Sequence, residues 1–144
     1  MDTVIFACIH NAGRSQMAAA FFNRTADTSK ARGISAGTRP ASTVHPEVLA
    51  SMREVGIDLS SARPQLLTTE LAAGARHLVT MGCAEECPYL PGLQVQDWPL
   101  EDPKGKPQER VREIRDEIRD RVKTFVEAQG WARGASGGAT EPTP

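Results

Sequence analysis

The 144-residue sequence has almost no excess charge of either sign. It contains 17 Lys and Arg residues against 18 Asp and Glu, for a formal net charge of -1. A chain so balanced has no overall attraction for nucleic acid or for an anionic membrane, and any anion it binds must be held by a local site. We therefore predict no nucleic-acid partner.

Long apolar runs are also missing. No stretch approaches the roughly 20 residues that a membrane-spanning helix needs. The first residues, MDTVIFA, lack the basic start and long apolar stretch of a signal peptide. We therefore predict a cytoplasmic protein with no membrane partner.

Cysteine is scarce, with three residues at Cys8, Cys83 and Cys87. An odd number cannot all pair within the chain, and in a reducing compartment cysteines are free, catalytic or metal-binding. A zinc site would need four well-placed ligands, and the histidines show no paired spacing to complement Cys83 and Cys87. We predict no metal site.

What is present is an alternation of strand-like and helix-like segments. Residues 3–8, TVIFAC, are typical of a central strand buried on both faces. The following SQMAAAFFNR contains helix-forming residues and no breaker. Further strands are predicted at residues 34–38, 77–82 and 93–100.

Helices separate these strands. A proline at the first helical position and a glycine past the end predict a helix over residues 46–55. The last helix is marked by apolar residues at three- and four-residue spacing: Val111, Ile114, Ile118, Val122, Phe125 and Val126. Beyond Gln129 the composition is rich in Gly, Ala, Ser, Thr and Pro, so we predict a domain over residues 1–129 and a disordered tail over 130–144.

This order predicts a single-domain α/β fold. Strands separated by helices imply right-handed crossovers and a mostly parallel sheet with flanking helices. Ligands in such sheets bind at the carboxyl ends of strands. Cys8 and Cys83 each lie at the end of a predicted strand.

Residues 8–14, CIHNAGR, which we term the anion loop, have the composition of an anion-binding turn. A short wrap between a strand and a helix points backbone N–H groups inward at the positive end of the helix dipole. Asn11 and Gly13 tolerate the positive φ angles that wrapping needs, and Arg14 offers two donors to a tetrahedral oxyanion. The predicted substrate-binding residues are Ile9, His10, Asn11, Ala12, Gly13, Arg14 and Ser15.

The same donors act on Cys8. Amide hydrogens, a guanidinium and a helix N-terminus favour the thiolate, and the Ser15 hydroxyl can donate to the sulfur. A thiolate beneath a bound oxyanion is a nucleophile aimed at the central atom. The alternative is that Cys8 is a small core residue and Arg14 a solvated arginine at a helix start.

In CIHNAGRS and the following QMA, the sequence resembles the low-molecular-weight tyrosine phosphatase superfamily, and more closely its thiol-dependent arsenate reductase branch. Four later stretches also resemble the reductase pattern, in the same order: SAGTRPASTVHPEVLASMREVGIDLS, HLVTMGC, CPYLPG and DWPLEDPKG. The resemblance spans nearly residues 1–128. It implies a four-stranded parallel sheet flanked by helices, with Cys8 as nucleophile, Arg14 as oxyanion binder and Asp102 as general acid. A protonated oxygen leaves a tetrahedral centre more easily, which is the chemical reason for the acid.

The resemblance also implies a cysteine relay. Cys83 would attack the Cys8 adduct, and Cys87 would then attack Cys83. Only three residues separate Cys83 from Cys87, a shorter interval than is usual in this branch, so mycothiol or glutathione could intercept Cys8 or Cys83 instead. No bound cofactor is implied, and the electrons would come from thioredoxin or from a mycoredoxin or glutaredoxin system.

Two other functions fit parts of the pattern. A phosphatase acting on phosphotyrosine or another phosphomonoester would use the same loop, because arsenate and phosphate share shape and charge. A protein that sequesters arsenite or a soft metal would use the three cysteines, but it needs neither a general acid nor an oxyanion clamp. The extra cysteines and SQMA favour reduction, and we predict an arsenate reductase.

Overall fold

The structure, a computed structural model, describes residues 1–82 and 92–133. Its elements in these ranges are β1 (Asp2–Cys8), α1 (Arg14–Thr25), β2 (Ala31–Gly37), α2 (Pro46–Arg53), α3 (Thr69–Ala73), β3 (His77–Thr80), β4 (Gln94–Asp97) and α4 (Gln108–Gln129). The strands form one parallel sheet in the order β2-β1-β3-β4. The predicted single-domain fold, a four-stranded parallel sheet flanked by helices, is confirmed. Within the described ranges, no helix combines the length and apolar character needed to cross a bilayer.

β1 lies in the middle of the sheet because both of its faces are covered. Alternate residues of a strand point to opposite faces. Val4 and Phe6 contribute to the larger core, which also includes residues of α1 and α4. Ile5 and Ala7 contribute to a smaller core that includes residues of α3. Cys8 ends the strand and so places its sulfur at the carboxyl edge of the sheet.

Most predicted elements are present with shifted bounds. β2 begins three residues earlier than predicted, whereas β3 and β4 are each four residues long and end sooner than predicted. The helix predicted over residues 46–55 ends at Arg53. The five residues of α3 were not predicted, because so short a helix carries no periodic signal.

The folded domain extends past the boundary predicted at Gln129. Trp131 is only 7% exposed and packs edge-on against two phenylalanines of the larger core. The Arg133 guanidinium donates to two backbone carbonyls near the end of α1. Residues 130–133 therefore belong to the domain, and the rest of the predicted tail lies outside the described residues. Composition alone missed this because the segment is mostly small and polar, whereas its place in the domain depends on the burial of a single tryptophan.

Candidate active site

The Cys8 sulfur lies at the base of the anion loop with a polar partner. It is 2.9 Å from the Ser15 hydroxyl oxygen. That oxygen also accepts a hydrogen bond of 2.7 Å from the side-chain amide of Asn11. Because the amide supplies one hydrogen to the serine oxygen, the hydroxyl hydrogen is free to point at the sulfur. Cys8 contacts the larger core as well, but its sulfur is placed to accept a hydrogen bond from the Ser15 hydroxyl.

The backbone carbonyls of the anion loop accept hydrogen bonds from residues that follow the loop in the chain. These carbonyls accept from the following donors at 2.8–3.3 Å: Cys8 from Thr38 N, Ile9 from Arg39 N, His10 from Ala41 N, Asn11 from Gln16 Nε2, Ala12 from His45 N, and Gly13 from Met17 N. A trans peptide places its C=O and N–H on opposite sides, and the described residues contain no cis peptide. The N–H groups of residues 9–14 therefore face away from the donors that hold the carbonyls of the same peptides. Successive N–H groups left in this way are what an anion-binding nest requires.

Asn11 and Gly13 shape the loop in different ways. Asn11 has the positive φ that was predicted, 51°, and its side-chain oxygen accepts from the Gln65 backbone N–H at 2.9 Å. Gly13 does not use a positive φ, since its φ is -140°. A side chain there would be crowded, because an added Cβ would lie 3.0 Å from Cγ of Pro103, which would have to shift by a few tenths of an ångström. The expectation that Gly13 would have a positive φ was thus wrong.

Arg14 begins α1, and its side chain is only 9% exposed. Its Nη1 donates to the Leu100 carbonyl at 2.9 Å, and its Nη2 is 3.8 Å from Oδ2 of Asp102. On the other side, a Cβ added to Gly82 would lie 2.7 Å from Nη1. The guanidinium is therefore held between the end of β3 and the loop that follows β4. This placement is not that of a solvated arginine at a helix start.

Asp102 lies in residues 98–107, between β4 and α4, which we term the acid loop. Its side chain is 44% exposed, and Oδ1 accepts from the Lys104 N–H at 3.0 Å. The next residue, Pro103, reaches Gly13 of the anion loop. The acid loop thus places a solvent-accessible carboxyl beside the Arg14 guanidinium.

Sequence reasoning missed the part played by the start of α2. The His45 N–H holds the Ala12 carbonyl, and the His45 ring lies 3.6 Å from where a Cβ of residue 13 would be. Burial lowers the pKa of His45, although the carboxylates of Glu47 and Asp102 oppose that change. The proline at position 46 predicted a helix start, but nothing local linked that start to the anion loop.

Cys83 and Cys87 lie outside the described residues, and their relay stays a prediction. The adjacency that would bring Cys83 towards Cys8 is present, because β3 pairs directly with β1. The pairing continues as the Met81 N–H donates to the Ala7 carbonyl at 2.7 Å. Gly82, directly before Cys83, lies beside Arg14, since a Cβ added to it would be 2.7 Å from Nη1. Among residues 1–82 and 92–133, no three His, Cys, Asp or Glu side chains are grouped to hold a metal ion.

Comparison with known proteins is consistent with this geometry. A family model described as low molecular weight phosphotyrosine protein phosphatase matches residues 3–130. The chain is 40% identical over 115 residues to a protein of Halobacterium salinarum provisionally named an arsenate reductase, covering 77% of this chain and 81% of that protein. It is 33% identical over 119 residues to an arsenate reductase of Staphylococcus aureus, covering 79% of this chain and 88% of that one.

Solved structures share the fold. The thioredoxin-dependent arsenate reductase of Corynebacterium glutamicum matches with a TM-score of 0.78 at 38% identity over 89% of this chain. This chain spans only 61% of the length of that structure.

Proposed function

The chain belongs to the low molecular weight phosphotyrosine protein phosphatase family, and from that premise we propose that it reduces arsenate to arsenite with electrons from thiols. The observation that carries the proposal is the anion loop: other donors engage its carbonyls from Cys8 to Gly13, so the N–H groups of the same trans peptides face away from those donors, and the Cys8 sulfur lies at the Ser15 hydroxyl. Such a nest suits a small tetrahedral oxyanion. Among such anions, the names of the relatives favour arsenate.

In the first proposed step, arsenate binds to the loop amides and Arg14, and the Cys8 thiolate attacks arsenic. A sulfur–arsenic bond forms, and the hydroxyl of hydrogen arsenate leaves as water after taking a proton from Asp102. Arsenic stays pentavalent in this adduct. Ser15 supports the step because its hydroxyl lies within hydrogen-bond distance of the sulfur.

In the second proposed step, the Cys83 thiolate attacks the Cys8 sulfur. The sulfur–arsenic bond breaks with its electron pair left on arsenic, which departs as trivalent arsenite, and a Cys8–Cys83 disulfide remains. Cys87 then attacks Cys83 and releases Cys8 as a thiolate. One arsenate and two thiols thereby give one arsenite, one disulfide and one water. The adjacency of β1 and β3 supports this order.

The proposed electron donor is thioredoxin, because the Corynebacterium glutamicum relative is described as thioredoxin-dependent. The other arrangement is a small thiol that attacks Cys8 or Cys83 and is removed by a mycoredoxin or glutaredoxin. Either route needs free thiols at rest, so the proposal places the enzyme in the reducing cytoplasm.

The test is arsenate-dependent NADPH oxidation with thioredoxin and thioredoxin reductase, run beside mycothiol- and glutathione-coupled systems. We expect Cys8→Ser to abolish reduction and Cys83→Ser to form no arsenite. Cys87→Ser should release one arsenite per enzyme and then stop, with a Cys8–Cys83 disulfide visible by mass spectrometry.

Three results would change the proposal. Multiple turnover by Cys87→Ser with thioredoxin would remove Cys87 from the mechanism. Turnover only in a mycothiol or glutathione system would replace thioredoxin as donor. Rapid hydrolysis of p-nitrophenyl phosphate without any arsenate reduction would instead assign the site to a phosphatase.

A further inference from the structure

The acid loop is fastened to α2 by one side chain. Oε2 of Glu47 accepts a hydrogen bond of 2.9 Å from the Gly105 N–H. The Glu47 backbone carbonyl accepts from the Gln108 side-chain amide at 3.2 Å. Within the turn, the Lys104 N–H donates to Asp102 and the Lys106 N–H to the Pro103 carbonyl. Other contacts of the acid loop are the approach of Arg14 to Asp102 and the ion pair of Glu101 with Arg110. Glu47 therefore links the turn that carries Asp102 to a neighbouring element.

The same end of α2 also holds the anion loop. The His45 N–H donates to the Ala12 carbonyl at 2.9 Å. Two positions of one short segment, His45 and Glu47, thus contact the nucleophile loop and the acid loop respectively. The start of α2 therefore contacts both loops.

The Glu47 contact has the character of a strong hydrogen bond. A carboxylate that accepts from a backbone N–H forms a charge-assisted bond. Burial and the nearby Asp102 carboxylate raise the pKa of Glu47. The Gly105 hydrogen bond, a backbone hydrogen bond within Glu47 and the charge of His45 outweigh them and leave the pKa below its ordinary value. Glu47 also lies in the first turn of α2, where a negative charge stabilises the helix.

We propose that Glu47 is a positioning residue, whose carboxylate holds the acid loop so that Asp102 faces the oxygen leaving from the anion bound at Cys8. The inference rests on the proposed function, since it takes Asp102 to be the general acid. Glu47 touches neither substrate nor reacting atoms. Its effect is confined to the step in which Asp102 gives up its proton.

The expected signature is a loss of rate without a loss of binding. General acid catalysis contributes about 10²- to 10⁴-fold, and a loosened acid forfeits part of that factor. We expect Glu47→Ala to lower the single-turnover rate of arsenite formation about tenfold at saturating arsenate. The arsenate concentration for half-saturation should change by less than about twofold, because the loop amides and Arg14 bind the anion.

Two variants separate positioning from stability. Glu47→Gln keeps a side-chain oxygen for the Gly105 N–H and should retain the rate within about threefold. Glu54→Ala is the matched control, because Glu54 is a glutamate at the other end of α2 that accepts from Arg112 and Arg115 and does not contact the acid loop. Glu54→Ala should lower stability and leave the single-turnover rate unchanged. An equal slowing in Glu54→Ala and Glu47→Ala would overturn the proposal.

A double-mutant cycle completes the test. If Glu47 acts through Asp102, adding Glu47→Ala to Asp102→Asn should cause no further slowing. Two results would show that Glu47 does not position the acid. In one, Glu47→Ala slows the Asp102→Asn variant by the same factor as it slows wild type. In the other, the single Glu47→Ala variant is as fast as wild type.

Hydrogen exchange at the Gly105 amide gives a readout that needs no arsenate chemistry. It should speed up in Glu47→Ala and not in Glu54→Ala. If the wild-type enzyme does not reduce arsenate, the proposed function is contradicted. Unchanged exchange in Glu47→Ala contradicts the role of Glu47 by itself.

Discussion

Gly82 shows how one residue can decide whether the anion loop has room for its arginine. Its φ is +97°, and an added Cβ would lie 2.7 Å from Nη1 of Arg14. Gly82→Ala should therefore push the guanidinium from its place as well as strain the backbone. We expect the arsenate half-saturation concentration in the coupled assay to rise about tenfold, since a bidentate charged donor contributes strongly to binding an oxyanion.

Gly56→Ala is the control for that substitution. Gly56 also has a positive φ, +82°, but a Cβ there would meet no atom within 4 Å. Gly56→Ala should lose about 1–2 kcal/mol of stability in urea unfolding from backbone strain, and Gly82→Ala at least as much. A normal half-saturation in Gly82→Ala, or an equal rise in Gly56→Ala, would show that the Gly82 contact with Arg14 does not matter for binding.

At the scale of elements, β3 combines a sheet position with a buried titratable group. The His77 ring lies edge-on to the rings of Phe125 and Trp131, with centroids 5.5 Å away in each case. Burial lowers the pKa of His77, Arg76 lowers it further, and Asp2 opposes the change. The unfolded chain, with a pKa near 6.5, then binds a proton more readily than the folded one.

The sign of the pH dependence follows from that difference. The stability that folding gains from a neutral His77 is complete above a pH of about 6.5. It decreases as the pH falls from there towards the lower pKa of folded His77. We expect the free energy of unfolding in urea to fall between pH 7 and 5.5 and to fall less steeply in His77→Gln. The pKa of His45 is also lowered in the folded chain, so His45→Gln should likewise make stability depend less steeply on pH. Identical slopes in wild type and His77→Gln would mean that His77 does not titrate differently on folding.

At the scale of the whole molecule, the C-terminal end of α4 closes the larger core. Trp131 packs against Phe22 and Phe125, and Gly130 takes the left-handed conformation, φ 77°, that turns the chain back after the helix. A chain ending at Gln129 should be less stable than one ending at Arg133 by about 3 kcal/mol, the usual loss for a buried aromatic side chain. Urea unfolding of the two truncated chains measures the difference.

The matched substitution is Trp131→Ala in the full-length chain. It should cause most of the same loss, because the tryptophan supplies most of the buried area of that segment. Equal stability of the two truncated chains would place the end of the domain at Gln129, as composition suggested.

Local patterns in the sequence predicted the elements whose information is local. The strand ending at Cys8, the turn residues up to Arg14 and the helix after it all follow from neighbouring residue types, because backbone preferences and helix-end electrostatics act over a few residues. α4 was predicted from its apolar spacing for the same reason. The position of the folded domain's end was not, because burial of Trp131 depends on partners distant in the chain.

Only the tertiary structure decided which distant residues complete the site. Arg14 contacts the Leu100 carbonyl across 86 positions of sequence, and Glu47 contacts Gly105 across 58. The order β2-β1-β3-β4 places Gly82 beside Arg14. No local preference encodes such contacts, because they arise when the apolar faces of the sheet and helices pack together and bring separate loops to one edge. The sequence by itself determined the chemistry available at that edge, and packing determined its geometry.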